Sequence, residues 1–177
     1  MTEDRYNQMV QIFCKKIMSN NLGASWIDEE FYGFTQPVSQ EVVRNYFKAL
    51  FVVANGDGII AEKERNWIVG FAAAGGASES VIEELQKYSG DDDLNSLLAA
   101  DPTLDLKYAG RALIRDAIQA ASADGEYNSA EREALLKLAK QLNVSEDVVN
   151  QIEQSVVQIK KLRQQEIELL YPEGKPY

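Results

Sequence analysis

Residues 121–132 read Ala-Ser-Ala-Asp-Gly-Glu-Tyr-Asn-Ser-Ala-Glu-Arg, and residues 54–65 read Ala-Asn-Gly-Asp-Gly-Ile-Ile-Ala-Glu-Lys-Glu-Arg. Laid over one another at an offset of 67 residues, the two stretches align without a gap: Asp57 falls on Asp124, Gly58 on Gly125, Glu64 on Glu131 and Arg65 on Arg132. The register holds further on, where Ala72 meets Ala139, Ser78 meets Ser145 and Val81 meets Val148, while Phe51 and Ile118 or Leu85 and Ile152 exchange within the apolar class. Self-similarity at a fixed period marks a repeated structural unit. Each unit reads as helix, Asp-Gly loop, helix, Ser-capped helix, over about 46–85 and 113–152.

Outward from the loops the pattern is helical. Val42, Val43, Tyr46, Phe47, Leu50, Phe51 and Ala54 form a broad apolar face before the first loop, and Leu106, Ala109, Leu113, Ile114, Ala117 and Ile118 form one before the second. Gly75-Gly76 stops a helix begun near Ala61, Ser78 caps the next, and Asp91-Asp92-Asp93 reads as the acidic start of a short helix over 92–100. Asn128 or Ser129 begins a helix to Leu142, with Glu131 where a capping-box acid belongs, and Ser145 opens a long last helix to about Leu170. Near the N-terminus, Tyr6, Met9, Val10, Phe13 and Ile17 follow helical spacing over 4–20, and an aromatic-rich connection with Trp26, Phe31, Tyr32 and Phe34 follows. No run of period-two alternation is long enough for a sheet. The expected fold is therefore all-α, a compact bundle of about seven or eight helices with an internal two-fold repeat. Residues 1–37 pack a helix and the aromatic connection on the core, 38–170 form the helical domain, and 171–177 form a tail. Phe51, Phe71, Ile118, Leu135, Leu138 and Val148 are the expected core.

Composition narrows the chemistry. The 177 residues carry a net charge of −10, which opposes an electrostatic grip on nucleic acid or anionic lipid and suits cationic partners. With one cysteine, Cys14, and no histidine, the chain has no internal disulfide, no Cys/His zinc site, no Ser-His-Asp triad and no histidine acid–base chemistry. Cys14 reads as a small core residue. No segment approaches the roughly 20 apolar residues that span a bilayer, and the start Met1-Thr2-Glu3-Asp4 does not resemble a secretory signal. The cytoplasm is the expected compartment, and no enzymatic activity is expected.

The repeated segment resembles the TerB-like family of tellurite-resistance-associated proteins, whose pattern is an alanine-rich helix, an Asp-Gly turn and a glutamate seven residues after the Asp. That is Asp57 with Glu64 and Asp124 with Glu131, in a resemblance covering about 40–155. It implies a compact helical bundle in a bacterial-type cytoplasmic protein, with acidic loop residues as candidates for metal contact. The family has no firmly established enzymatic activity and is linked to stress responses and membrane-associated complexes. A protein partner, without direct membrane insertion, is the corresponding expectation, and a homodimer is compatible with it.

Two readings of the acidic loops stand open. In one, Asp57, Glu64, Asp124 and Glu131 give oxygen ligands to a hard divalent cation, Ca²⁺ or Mg²⁺, with Asn55, Glu62 and Glu126 nearby. An EF-hand is a poor version of it: with Gly58 at the loop's glycine position, Val53 and Ala120 stand where the first aspartate is needed. In the other, each Asp-Gly is a tight turn and each glutamate completes the next helix's first turn. Arg65 and Arg132 either pair with an acid of the opposite unit or face solvent.

Overall fold

The computed structural model describes residues 23–33, 39–99, 106–125 and 127–174. Those residues form eight helical segments and no strand. Residues 23–32 make α1, π-helical over Asp28–Tyr32. The rest are α2 (Gln40–Ala54), α3 (Glu62–Ala74), α4 (Glu79–Lys87), α5 (Leu94–Ala99), α6 (Leu106–Ala121), α7 (Ser129–Gln141) and α8 (Glu146–Leu170). The expected helix over 4–20 and Cys14 lie outside the described residues.

Helix bounds recur at the offset read in the sequence: α2 ends at Ala54 and α6 at Ala121, α3 starts at Glu62 and α7 at Ser129, α4 starts at Glu79 and α8 at Glu146. The reason is local. Gly58 and Gly125 both have positive φ, 87° and 105°, each closing the turn that ends its helix. Gly76 and Asn143 take the left-handed conformation after α3 and α7. There Ala77 N–H donates to Ala72 O and Val144 N–H to Ala139 O, both at 2.9 Å, the hydrogen bond that closes a Schellman C-terminus. Ser39 and Ser78 accept from Val42 N–H and Val81 N–H. Ser145 occupies the start of α8 without a side-chain cap bond.

α2 lies at the centre, against α3, α4, α5, α6 and α7. Its buried face carries Ala49, Leu50, Phe51, Val53 and Ala54, and that of α6 carries Leu113, Ile114, Ala117, Ala120 and Ala121. The alanines let the two helices approach closely while leucine, isoleucine and phenylalanine fill the sides. Leu135 and Leu138 of α7 complete the core. Two expected core positions move outward. Phe71 is only partly buried, with Phe47, Trp67 and Tyr32 around its ring. In α8 the buried valine is Val149, Val148 being intermediate. α8 leans on α6 and α7 through Val149 and Val156, with Ile152 partly buried between them.

The aromatic connection differs from expectation in being helical over its described part. Tyr32 anchors it, stacking on Phe71, while Trp26 and Phe31 stay exposed and pack edge-to-face on each other.

Candidate functional site

The first Asp-Gly loop lies directly against the start of α7. Gly56 makes this possible: a Cβ there would sit 2.9 Å from Ala134 Cβ, 3.0 Å from Ala130 O and 3.1 Å from Glu131 Cα. At that closeness any side chain would force the loop away from the helix. The contact brings the acidic positions of the two units together.

Each glutamate completes a helix start with one oxygen. Glu64 Oε2 accepts from Ala61 N–H at 2.7 Å, and Glu131 Oε2 accepts from Asn128 N–H at 2.8 Å. Asn128 returns the favour through Oδ1, which accepts from Ala130 N–H and Glu131 N–H, making a full capping box. Ala61, at the matching position, has no side-chain acceptor, so only half of that box exists in the first unit.

The two glutamates also meet. Their carboxyl groups lie within hydrogen-bonding reach of one another, and both residues are buried, at 1% and 4% exposure. Glu64 Oε1 is enclosed yet receives no N–H or hydroxyl donor, and the Glu131 carboxyl lies close to the Glu64 side chain. Two carboxylates cannot both ionise comfortably in that position. Burial, and after it the Glu131 carboxyl and Asp124, pushes Glu64 up to about 8 against the opposing pull of Ala61 N–H. Burial likewise raises Glu131, opposed by Asn128 N–H and by the Glu64 carboxyl and helped by Asp57 and Asp124.

The aspartates form the rim. Asp57 is exposed; its Oδ1 accepts from Ile59 N–H within the turn and its Oδ2 accepts from Asn128 Nδ2 across the units, both at 2.9 Å. Asp124 is half-buried and near enough to raise both glutamates. The structure thus brings Glu64 and Glu131 into contact across the units, and does not gather the acids of either unit around a point of its own. Among the described residues no three acidic side chains stand as a ready cation cage. Glu126 lies outside them.

The paired arginines, both partly exposed, bond within their own units. Arg65 donates to the carbonyls of Leu85, Gln86 and Tyr88 at the end of α4. Arg132 pairs with Glu153 and Glu146 and donates to Asn150, all on α8.

A second polar cluster escaped the sequence reading. Asp116 of α6 is fully buried. Its Oδ2 accepts from the hydroxyls of Tyr32 and Tyr46, each at 2.6 Å, and its Oδ1 accepts from Arg115 and Gln119. Arg115 also sits over the Tyr32 ring at 4.7 Å. The signal was an acid within an apolar face, between Leu113-Ile114 and Ala117-Ile118. Its partners satisfy it fully, so the cluster is an anchor for α1 and not an open site.

A helical bundle whose first Asp-Gly loop abuts α7 beside two buried glutamates is the class of protein that fold and site define. Its overall structure matches a tellurite resistance protein from Nostoc punctiforme PCC 73102 with a TM-score of 0.81 and 36% sequence identity, over 89% of this chain and 98% of that one. The chain belongs to the TerB-like family of tellurite-resistance proteins. No family profile matches it, and no curated protein does.

Proposed function

We propose that this chain is a non-enzymatic, protein-binding component of a tellurite-resistance or related stress response in the cytoplasm, tuned by a divalent cation at the Glu64–Glu131 pair. Membership of the family and the 36% identity to a tellurite resistance protein support the biological setting. Among the described residues no helix is long and apolar enough to cross a membrane, in keeping with a partner protein and not the bilayer as the docking surface.

The observation that carries the cation reading is the buried Glu64 Oε1, without a donor, on a side chain that lies beside a second carboxyl. Two acids enclosed in contact require either a proton or a positive ion between them. The donor set fits a hard cation such as Ca²⁺ or Mg²⁺, since only oxygens are available. Glu64 and Glu131 would hold the ion, with Asp57 and Asp124 turning in from the rim to add ligands. The bound ion would supply charge neutralisation at the junction of the two units. The same observation supports a proton in that role, with the chain acting as an interaction module that binds no metal.

Calorimetric titration with Ca²⁺ and with Mg²⁺, beside thermal unfolding, separates the two. If the cation reading holds, unfolding temperature rises with millimolar cation, by linkage worth about 2.7 kcal/mol at a hundredfold excess over Kd. The double substitution Asp57→Asn, Asp124→Asn should abolish the rise. Neither heat nor thermal shift in the wild type would end the cation reading and leave the interaction module.

A further inference from the structure

The groups that receive Tyr32 are each held in place by other partners. Its hydroxyl donates to Asp116 Oδ2 at 2.6 Å, its ring stacks on Phe71, and the Arg115 guanidinium lies over the ring at 4.7 Å. Asp116 is fully buried and has Tyr46, Arg115 and Gln119 as further donors. Arg115 is fixed by two bonds to Asp116 Oδ1, at 2.9 and 3.0 Å. Phe71 is braced by the rings of Phe47 and Trp67. With Tyr32 lifted away, the body still presents an aromatic wall, a fixed cation and a carboxylate oxygen with room to accept. No charge there loses its partner.

The segment that carries Tyr32 is held less firmly. α1 ends in a π turn over Asp28–Tyr32, a rare form that recurs at functional sites. Among the described residues its hydrogen bonds to the body lie at its last two residues: the Tyr32 hydroxyl, and the Phe31 carbonyl, which accepts from Arg115 at 3.5 Å. Trp26, Glu29, Glu30 and Phe31 are exposed. Few buried contacts and an exposed face mark a segment that opens locally, well below the cost of global unfolding.

We infer that α1 is a displaceable strap over a tyrosine-recognition pocket, whose other occupant is an unphosphorylated tyrosine in a basic segment of a partner protein. The pocket reads a phenol at three points: Asp116 takes the hydroxyl, Phe71 the ring, and Arg115 both the ring and the carbonyl of the preceding residue. Phenylalanine has no donor for Asp116. Phosphotyrosine would press a second negative charge on a buried carboxylate. The basic flank follows from charge. α1 carries Glu29 and Glu30 within one turn of Tyr32, in a chain of net charge −10. A segment with Lys or Arg at those places is attracted where α1 is repelled. A second copy would bring the same two acids. The strap sets a threshold, because tethered α1 competes at an effective concentration of order millimolar. The inference rests on the protein-binding reading above, gives it a site, and needs no cation.

The probe is a fluorescent peptide of residues 23–33 carrying Glu29→Lys and Glu30→Lys, titrated by anisotropy at physiological salt against the full-length chain. It should bind full-length Tyr32→Ala at least about tenfold more tightly than wild type, since a strap without its ring no longer competes at millimolar effective concentration. The same peptide with Tyr32→Phe should bind about fivefold or more weakly, the worth of one hydrogen bond. Its phosphotyrosine form should not bind. Hydrogen exchange of the wild type needs no variant: α1 amides should exchange at least about tenfold faster than those of α6 around Asp116. Equal rates in α1 and α6 overturn the inference, because α1 would then open only with the body. So does a peptide that binds wild type and Tyr32→Ala equally, that fails to bind Tyr32→Ala, or that binds as well with phenylalanine. A dimer in sedimentation that grows with concentration and that Tyr32→Ala abolishes overturns it in favour of a second copy's α1. Failure of peptide binding beside an intact thermal shift with Ca²⁺ or Mg²⁺ sinks this pocket alone and leaves the cation reading standing.

Discussion

Arg65 and Arg132, at matching positions of the two units, hold different partners because the helix in front of them ends in one unit and continues in the other. α4 stops at Lys87, and Gly90 follows with a φ of 77° so close to Phe51 O that a Cβ would sit 2.7 Å from it. The carbonyls freed by that stop are gathered by the Arg65 guanidinium, which also lies over the Phe51 ring at 5.0 Å. α8 runs on to Leu170, its carbonyls are used within the helix, and Arg132 turns to Glu153, the counterpart of Gln86.

This difference predicts unequal losses. Arg65→Ala removes charge-assisted bonds to backbone acceptors and should cost about 1.5–3 kcal/mol. Arg132→Ala removes ion pairs at the surface and should cost about 1 kcal/mol or less. Urea unfolding of the two variants checks this, and equal losses would show that the helix end at Lys87 is not what Arg65 holds.

In the core, Leu138→Ala empties a fully buried leucine site and should cost about 2–5 kcal/mol. Val149→Ala should cost clearly more than Val148→Ala, since only Val149 is fully enclosed. Denaturant midpoints in which Val148→Ala is the worse of the two would rotate the assigned face of α8.

The matching helix bounds were legible because glycine, aspartate and serine mark chain reversals by local chemistry, and that chemistry acts the same way at both loops. Gly58 and Gly125, or Gly76 and Asn143, need nothing beyond their own backbone. The meeting of Glu64 with Glu131 was not legible, because it depends on how closely the first loop approaches α7. Gly56 sets that distance, and its counterpart is Ala123. Asp116 was missed for the same kind of reason. Its counterpart is Ala49, and its partners Tyr32 and Tyr46 come from α1 and α2, so no local pattern announces it.

Asp116→Ala should be among the most damaging changes in the chain. It leaves the hydroxyls of Tyr32 and Tyr46 and the Arg115 guanidinium without their shared acceptor. Removing one partner of a buried ionic network costs about 3–5 kcal/mol. Tyr32→Phe should cost much less, about 1 kcal/mol, because one acceptor bond is lost and Asp116 keeps its others. Thermal unfolding should rank them in that order, and a mild Asp116→Ala would mean that α1 is held by its ring contacts alone.

The Glu64–Glu131 pair gives the stability a pH dependence whose sign follows from the direction of both shifts. Burial raises both carboxyls in the folded protein, Glu64 from 4.5 to about 8 with the Glu131 carboxyl adding to the rise, while the bond to Glu64 pulls Glu131 the other way. Between those values the folded chain keeps a proton that the unfolded chain has released. Unfolding then releases a proton, and stability falls as pH rises. The contribution is complete below about pH 4.5 and is lost through about pH 8. For one proton the slope is at most about 1.4 kcal/mol per pH unit. At the acid end Glu84 acts oppositely. Its bond to Lys48 lowers it, so its contribution is lost as pH falls below the ordinary carboxylate range. The window from pH 6 to 9 therefore isolates the glutamate pair from Glu84. Wild-type urea midpoints should decline across it. Glu64→Gln should flatten the decline, because an amide can donate to Glu131 without titrating, and should exceed the wild type in stability at the alkaline end. A wild-type midpoint constant across the window, or a Glu64→Gln slope equal to it, would show that the two carboxyls do not share a proton.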